Sequence, residues 1–574
     1  MLLKELLKKD ITETVHLLWQ DALADDAIEV TAPRMKEHGD YASNVAMKLT
    51  KLVNKAPMDI ATEVACILTK KEYVEKAEAV APGFINIKFK EIFLLQELQR
   101  DEYVSPMKKH AGELIVLEYG SLNMGKPATI GHLLNMVHGE AMKRILRWYG
   151  FDVHAVDHVG DWGTQFGKLL YAMETWGDET KIKAHPIDEL VKLYVHFHDE
   201  AEKDPTLEDK GREYAKRLED GDPELKKKWR WMITMNMEEN MKLYEELDVS
   251  FDSQKGESEY IPMIPHMVEL LLEKGIAEKN EDGSVAVVFE KHNINLPSCL
   301  ILKKDGSSLY HARDIATAHF RQEAFHPKKI IHVVAEEQNL YFRQLFAILN
   351  LLGWSKETEW IHMSYGLFSL KEGKISTRKG RVIYAEEVVK EGRERAMQIL
   401  KERGVGKDPE IDIHELCETI ALGSIFYANL SQNRSTSQIF DWNKALSFEG
   451  NSAPYLQYVY ARASSVMRKA KDENASGGTW NSTLHLEDKE REVVLKILQF
   501  NEAVETSIPD LRSNFLAQYL YELSATFNAF YTQCAILHND NMEVQAFRLY
   551  LVEKTREVMK KGLDLLNIKV PEKM

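Results

Sequence analysis

The chain has 574 residues, 44% of them apolar, with a formal charge of −16 and a pI near 5.7. At about 150 residues per domain that length predicts three or four domains, and the acidic balance excludes a protein whose whole surface binds polyanions, though not local basic patches. The cysteines Cys66, Cys299, Cys417 and Cys534 form no C-x-x-C pair, no window nears 18 consecutive apolar residues and the charged N-terminal helix lacks a signal-peptide core, so the expectation is a cytoplasmic protein without disulfide framework, cysteine zinc site or membrane span.

Residues 1–108 read as a small α/β unit. An amphipathic helix opens it, "HGDYASNVAMKLTK" starts another helix near Asp40, and "AEAVAPGFINIKF" alternates as a strand after a turn at Pro82-Gly83. From Glu113 the rhythm changes. "ELIVLEYG" is a short apolar run of the kind buried in a parallel sheet. "SLNMGKPATIG" is the loop after it. "HLLNMVHGEAMKRILRWYG" then places Leu133, Met136, Val137, Ala141, Ile145, Leu146 and Tyr149 on one helical face, closed by Gly150. "FDVHAVDHVGDWG" supplies the next strand. Strand–loop–helix–strand predicts a doubly wound α/β domain over 109–395. The charged helical stretch from about 175 to 290 interrupts that rhythm and reads as an insertion, with strands returning at "SCLILKKDG" and "KKIIHVVAEEQ". After about residue 400 the periodicity is helical, so 400–574 is predicted as an all-α domain.

The loop after the first strand holds two phosphate signatures. Gly120–Lys126, G-S-L-N-M-G-K, has Walker A spacing, but the hydroxyl that should follow is replaced by Pro127, which has neither hydroxyl nor N–H. The following strand offers no clear Walker B Asp, so a P-loop ATPase is the weaker reading. The stronger one is a helix N-terminus near His132, whose free N–H groups and positive dipole suit an anion. There Gly131 lets a flat base or ribose approach the backbone, His132 donates to a phosphate oxygen and Lys126 adds a charge. Further on, "LFSLKEGKISTRKGRVIY" (367–384) gathers Lys371, Lys374, Arg378, Lys379 and Arg381 around Ser376 and Thr377. Cations placed there would meet the charge that develops on a leaving pyrophosphate. Taken singly, a capped helix and an exposed basic hairpin explain these features equally well.

The pair, Ile130-Gly131-His132 after the first strand and "KISTR" late in the sheet, resembles the HIGH and KMSKS motifs of class I aminoacyl-tRNA synthetases. The wider match is to the arginyl-tRNA synthetases. "GDYASN", "GFIN", "EYGSLNMGKPATIGH", "GDWGTQFG", "LEDGD", "FDSQKGESEY", "LYHARDIATAHFR", "KISTRKG", "FEGNSAPYLQYVYAR" and the terminal "PEKM" follow that family's blocks in order, over nearly the whole chain. The resemblance implies a Rossmann-type parallel-sheet catalytic domain, a small N-terminal domain meeting the tRNA elbow and a C-terminal all-α anticodon-binding domain. It implies L-arginine, tRNA(Arg) and ATP with Mg²⁺ as substrates, no protein-bound metal, a monomer, and adenylate formation that needs bound tRNA.

Matched residue by residue, the resemblance assigns arginine to Ser121, Asn123, His132, Tyr310, Asp314 and Gln338, with Glu118 a second nearby carboxylate. A guanidinium is a planar fork of donors that a carboxylate meets in bidentate fashion, and Asp314 is the candidate partner, one helical turn after Tyr310. ATP falls to Lys126, Gly131, His132, Lys374, Ser376 and Thr377, and the catalytic set is Lys126, Thr129, Gly131, His132, Lys374 and Ser376. For tRNA the candidates are Phe84 and Asn86 in the N-terminal unit and the aromatics Tyr455, Tyr458, Tyr460, Phe527, Phe530 and Tyr531 in the helical one, with Tyr455, Tyr458 and Tyr531 singled out; for most of the six, packing in a helical core is the competing reading. The chain departs from the family at Thr129 (first HIGH histidine), Thr377 (second KMSKS lysine), Leu134 (usually Arg) and Tyr341 (usually His). Thr129 carries no charge and motivates the alternative of a tRNA-binding paralogue without aminoacylation; Lys374, Ser376, Asp314 and Gln338 argue against it.

Overall fold

The computed structural model describes residues 2–20, 22–33, 35–366, 368–371, 382–405, 408–473, 475 and 478–574. The N-terminal unit is an antiparallel sheet of four strands, in the order Val30–Thr31, Tyr41–Ser43, Phe84–Phe89, Val74–Val80, covered by helices Leu3–Trp19, Val45–Val53, Pro57–Leu68 and Glu91–Arg100. The helix expected near Asp40 begins at Val45. Tyr41–Ser43 pairs as a strand instead, which buries Tyr41 completely.

Those two residues dock the unit onto the C-terminal helices. Both oxygens of Asp40 meet the Arg491 guanidinium at 2.7 Å, and the Tyr41 hydroxyl lies 2.9 Å from each oxygen of Glu502, which also accepts from the Lys4 backbone N–H. Burial pushes the Glu502 carboxyl up to about 7 against those hydrogen bonds. The folded protein therefore holds this proton more tightly than the unfolded chain. Stability from this group is fully present below about pH 4.5 and is lost as pH rises through about 7, on the order of 3 kcal/mol in all. Glu502→Gln is expected to flatten the fall in melting temperature between pH 5 and 8, read by scanning calorimetry. An unchanged slope would remove Glu502 as its source.

The central domain is an all-parallel sheet of five strands, in the spatial order Glu359–Tyr365, Lys329–Ala335, Leu114–Glu118, Asp152–Val159, Ser253–Gly256. The order reverses between Leu114–Glu118 and Lys329–Ala335. A crevice opens beyond the carboxyl ends of strands at such a switch point. Ser253–Gly256 lies inside the stretch read as insertion. Its sequence, S-Q-K-G, carries no apolar run, because an edge strand with one neighbour is only half-buried. That strand divides the stretch: helices up to Pro223–Glu246 precede it, and helix Ile264–Glu273 follows it. Cys299–Leu302 in turn belongs not to the main sheet but to a separate antiparallel one with Val285–Val287 and Glu278–Lys279, which shares a second apolar core with helices Ile264–Glu273, Tyr310–Phe325 and Asn339–Leu351.

The helix after the first strand spans Ile130–Tyr149, two residues earlier than expected, and ends at Gly150 with φ 114°. The predicted apolar face is buried, but so is every residue from Leu133 to Lys143. The reason is tertiary: the sheet covers one side and helices Ala385–Glu402, Ile413–Leu430 and Met542–Leu565 the others. Its buried charges are matched internally. Glu140 meets Lys143 at 2.7 Å and the Tyr119 hydroxyl at 2.9 Å. A Cβ on Gly139 would lie 2.1 Å from the Tyr119 ring, so only glycine lets this helix approach the strand. Beyond residue 400 the regular elements among the described residues are helices, apart from the strand Gln438–Phe440, which pairs in parallel with Phe368–Leu370. No helix among the described residues is long and apolar enough to cross a membrane.

Candidate active site

The loop Gly120–Lys126 alternates. Leu122 and Met124 are buried, Ser121 is half-buried, and Asn123 and Lys126 are exposed. Its backbone continues the ladder of the first two sheet strands: Met124 N–H donates to Gly160 O at 3.1 Å and Gly160 N–H to Leu122 O at 2.9 Å. Ser121 has φ 57°, a left-handed conformation that persists in a non-glycine residue only where its surroundings impose it. Asp157 imposes it, accepting the Ser121 N–H at 2.9 Å from beneath. Lys126 lies 5.0 Å from the Tyr194 ring centroid.

Thr129 is the N-cap of the helix, a role its position as a departure from HIGH did not predict. His132 closes the capping box: its Nδ1 accepts the Thr129 backbone N–H at 3.0 Å. Burial pushes the imidazole down to about 4, so it is neutral at neutral pH. With Nδ1 as acceptor the proton sits on Nε2, leaving one N–H donor. The Tyr365 hydroxyl, at the end of its strand, lies 2.8 Å from Gly131 O and 2.6 Å from the Asn135 side chain, holding the first turn.

Among the described residues, a Cβ added at Gly131 would meet nothing closer than Thr129 Oγ1, at 3.6 Å. The space above Gly131 is thus not needed for packing. Gly131→Ala is expected to leave the melting temperature equal or slightly higher, since alanine favours a helix by about 0.5–1 kcal/mol. The same methyl should raise KM for ATP about tenfold, the cost of overpacking a ligand. Unchanged ATP kinetics would mean that no ligand occupies that space.

The chain just after the basic segment meets this tip. Ile130 N–H donates to Ile383 O at 2.9 Å and Ala385 N–H to Ala128 O at 2.8 Å, and Lys371 pairs with Asp441 at 3.3 Å. Lys374, Ser376 and Thr377, with Arg378, Lys379 and Arg381, lie outside the described residues.

Across the crevice, helix Tyr310–Phe325 presents Asp314, whose side chain is 30% exposed. The Tyr341 hydroxyl donates to Asp314 Oδ2, and His158 Nε2 lies 3.9 Å from Oδ1. Tyr310, one turn earlier, is exposed and stacks on Arg313 at 5.3 Å. Arg313 in turn holds Glu257 at 2.6 Å; burial still pushes that carboxyl up to about 7, against the guanidinium. Gln338 is exposed beyond strand Lys329–Ala335, three residues before Tyr341. Glu118 is differently placed. It is buried and already paired with Arg321 at 2.5 Å, with His332 at 3.4 Å. Burial would raise its carboxyl, but the Arg321 guanidinium, with the His332 ring beside it, holds it well below the usual range. An internal arginine thus occupies the carboxylate suggested for the substrate. Tyr341, Arg313, Glu257, His158 and Asp157 all had to be located in space. Tyr341 was visible only as a departure, and Arg313 and Glu257 only as unassigned members of matching blocks.

Of the tRNA candidates, Phe84 is exposed, whereas Asn86 is buried, although strand alternation puts it on the face of Phe84 and Lys88 and not on that of Ile85, Ile87 and Phe89. Tyr455 accepts from Asn528 at 2.9 Å. Tyr458 and Tyr531 are exposed and flank Arg462, at 4.8 and 5.0 Å from its guanidinium. They line a cleft of about 1240 Å³ with Arg468 and Lys469. Tyr460, Phe527 and Phe530 are core.

An open parallel sheet with a helix tip at its switch point, the chain at Ile383–Ala385 returning to that tip and an appended helical domain define a class I aminoacyl-tRNA synthetase. The chain matches the class I (R) tRNA synthetase catalytic domain over residues 94–442, the arginyl tRNA synthetase N-terminal domain over 1–89 and the DALR anticodon-binding domain over 456–574. The chain belongs to the arginyl-tRNA synthetases. It is 39% identical to the arginine–tRNA ligase of Fusobacterium nucleatum, over 95% of each chain, and 36% identical to that of Halothermothrix orenii, also over 95% of each. The solved arginyl-tRNA synthetase of Thermus thermophilus superposes with a TM-score of 0.82 at 25% identity, covering both chains fully.

Proposed function

We propose that this crevice activates L-arginine with ATP and passes the arginyl group to the terminal adenosine of tRNA(Arg). The arginine carboxylate attacks the α-phosphorus in line. The bond to the β-phosphate oxygen breaks, and pyrophosphate leaves with that electron pair. The adenosine 2′-OH then attacks the arginyl carbonyl and AMP departs. Catalysis of this kind is mostly positioning and stabilisation of developing charge. The observation that carries the reading is Asp314, a partly exposed carboxylate that accepts from the Tyr341 hydroxyl and lies beside His158, at the carboxyl end of the strand next to the one that leads to the helix tip at Gly131.

In this reading Asp314 takes the guanidinium, with Tyr310 and Gln338 beside it and Ser121 and Asn123 on the substrate's other side. His132 Nε2–H, the first-turn amides and Lys126 meet ATP, which brings Mg²⁺ as part of the substrate. Lys374 and Ser376, by resemblance, meet the pyrophosphate. The cleft around Tyr458, Arg462 and Tyr531 takes anticodon bases, since exposed aromatics and a guanidinium plane stack on unpaired bases, and Phe84 meets the tRNA elbow. The enzyme works as a cytoplasmic monomer. Arginine-dependent exchange of pyrophosphate into ATP, with and without tRNA, tests the assignment. Exchange that arginine fails to stimulate in the presence of tRNA would sink it.

A further inference from the structure

Helix Pro223–Glu246 lies in the long connection between strands Asp152–Val159 and Ser253–Gly256. Its positions 232, 236, 240 and 244 recur every four residues and share one face. A helix packed on a core is expected to be apolar there, and Met232 obeys. Asn236, Asn240 and Tyr244 are polar, yet all three are buried.

Each meets the substrate loop or the carboxylate beneath it. Asn236 Oδ1 accepts the Gly125 N–H at 3.1 Å, while its Nδ2 donates to Met232 O at 2.8 Å. Asn240 Nδ2 lies 3.8 Å from Met124 Sδ. The Tyr244 hydroxyl donates to Asp157 Oδ2 at 2.8 Å, and Asp157 Oδ1 accepts the Ser121 N–H at 2.9 Å. Both ends of the loop are left-handed, Ser121 at φ 57° and Gly125 at 77°. Apolar side chains of similar volume would fill this seam without the cost of desolvating polar groups. What they could not supply is direction, because a hydrogen bond fixes orientation and an apolar contact does not.

We propose that Asn236 and Tyr244 are positioning residues for arginine activation, one for each end of the loop. Tyr244, through Asp157, sets the arginine end at Ser121 and Asn123. Asn236 sets the phosphate end at Gly125 and Lys126. This rests on the assignment of the loop made above.

The test uses the full-length protein with tRNA present. Tyr244→Phe removes only the hydroxyl; Asn236→Leu removes the acceptor; Asn236→Asp keeps an acceptor oxygen. Hydrogen exchange of the 120–126 amides, read by mass spectrometry, should quicken about tenfold in the first two, the size of one net hydrogen bond. Tyr244→Phe should raise KM for arginine about tenfold and leave KM for ATP within about twofold; Asn236→Leu should do the reverse and lower kcat, and Asn236→Asp should recover most of that loss. A merely structural role moves both KM values together with the melting temperature and overturns the proposal, as does unchanged exchange in folded variants. Ser121→Ala and Lys126→Ala serve as direct controls. Controls that shift KM beside anchors that do not overturn the clamp. Controls that shift neither KM overturn the site assignment instead, and the exchange rates then decide the clamp alone.

Discussion

Asp314→Asn is expected to raise KM for arginine by about 10²–10³-fold while KM for ATP stays within about threefold, the loss of one partner of a desolvated charge pair being about 3–5 kcal/mol. The variant is clean because asparagine keeps an acceptor oxygen for the Tyr341 hydroxyl, so the crevice wall need not rearrange. What disappears is the charge. Glu257 does not replace it, since that carboxyl is committed to Arg313, and Glu118 does not, since Arg321 holds it. Discrimination against lysine should fall with it, because a carboxylate meets the guanidinium fork in two parallel hydrogen bonds and an ammonium as a point charge. Arginine and lysine titrations of pyrophosphate exchange read both effects. Unchanged arginine kinetics would take Asp314 out of the site.

His132→Ala should lower kcat for adenylation by about 10²–10³-fold, the range for removing one preorganised donor. Alanine also deprives the Thr129 N–H of its acceptor, so some loss of stability, about 1 kcal/mol, accompanies it. His132→Asn separates the two effects. Its side-chain oxygen can replace Nδ1 in the capping box but it offers no donor where Nε2–H stands. Stability should return and activity should not. Because burial keeps the imidazole neutral down to about pH 4, kcat should show no acid limb from this group above about pH 5. Activity recovered fully in the asparagine variant would reduce His132 to a helix cap.

Legibility differed from residue to residue. Apolar runs at 114–118 and 152–159 and the helical spacing from Leu133 to Tyr149 announced a βαβ unit, because burying one face imposes a period on the chain. The edge strand Ser253–Gly256 was invisible, since none of its four residues is apolar or fully buried and no face imposes a period on it. In the site, the ordered blocks picked out Ser121, Asn123, His132, Tyr310, Asp314 and Gln338, but role does not follow from block membership. Glu118 and Asp314 are both carboxylates in matching blocks. Only the partners across space, Arg321 for one and Tyr341 for the other, distinguish a satisfied internal ion pair from a carboxylate open to the crevice.

The amino-acid sequence by itself therefore determined the family, the parallel sheet and the short list of candidate side chains, because periodicity and motif order are local properties of a chain. The tertiary structure decided which charges were already neutralised, which imidazole nitrogen keeps its proton, and how Asn236 and Tyr244, more than a hundred residues beyond the loop, come to grip it. Those are matters of distance and burial. A hydrogen bond or an ion pair acts over a few ångströms whatever the separation in sequence, so no local pattern encodes it.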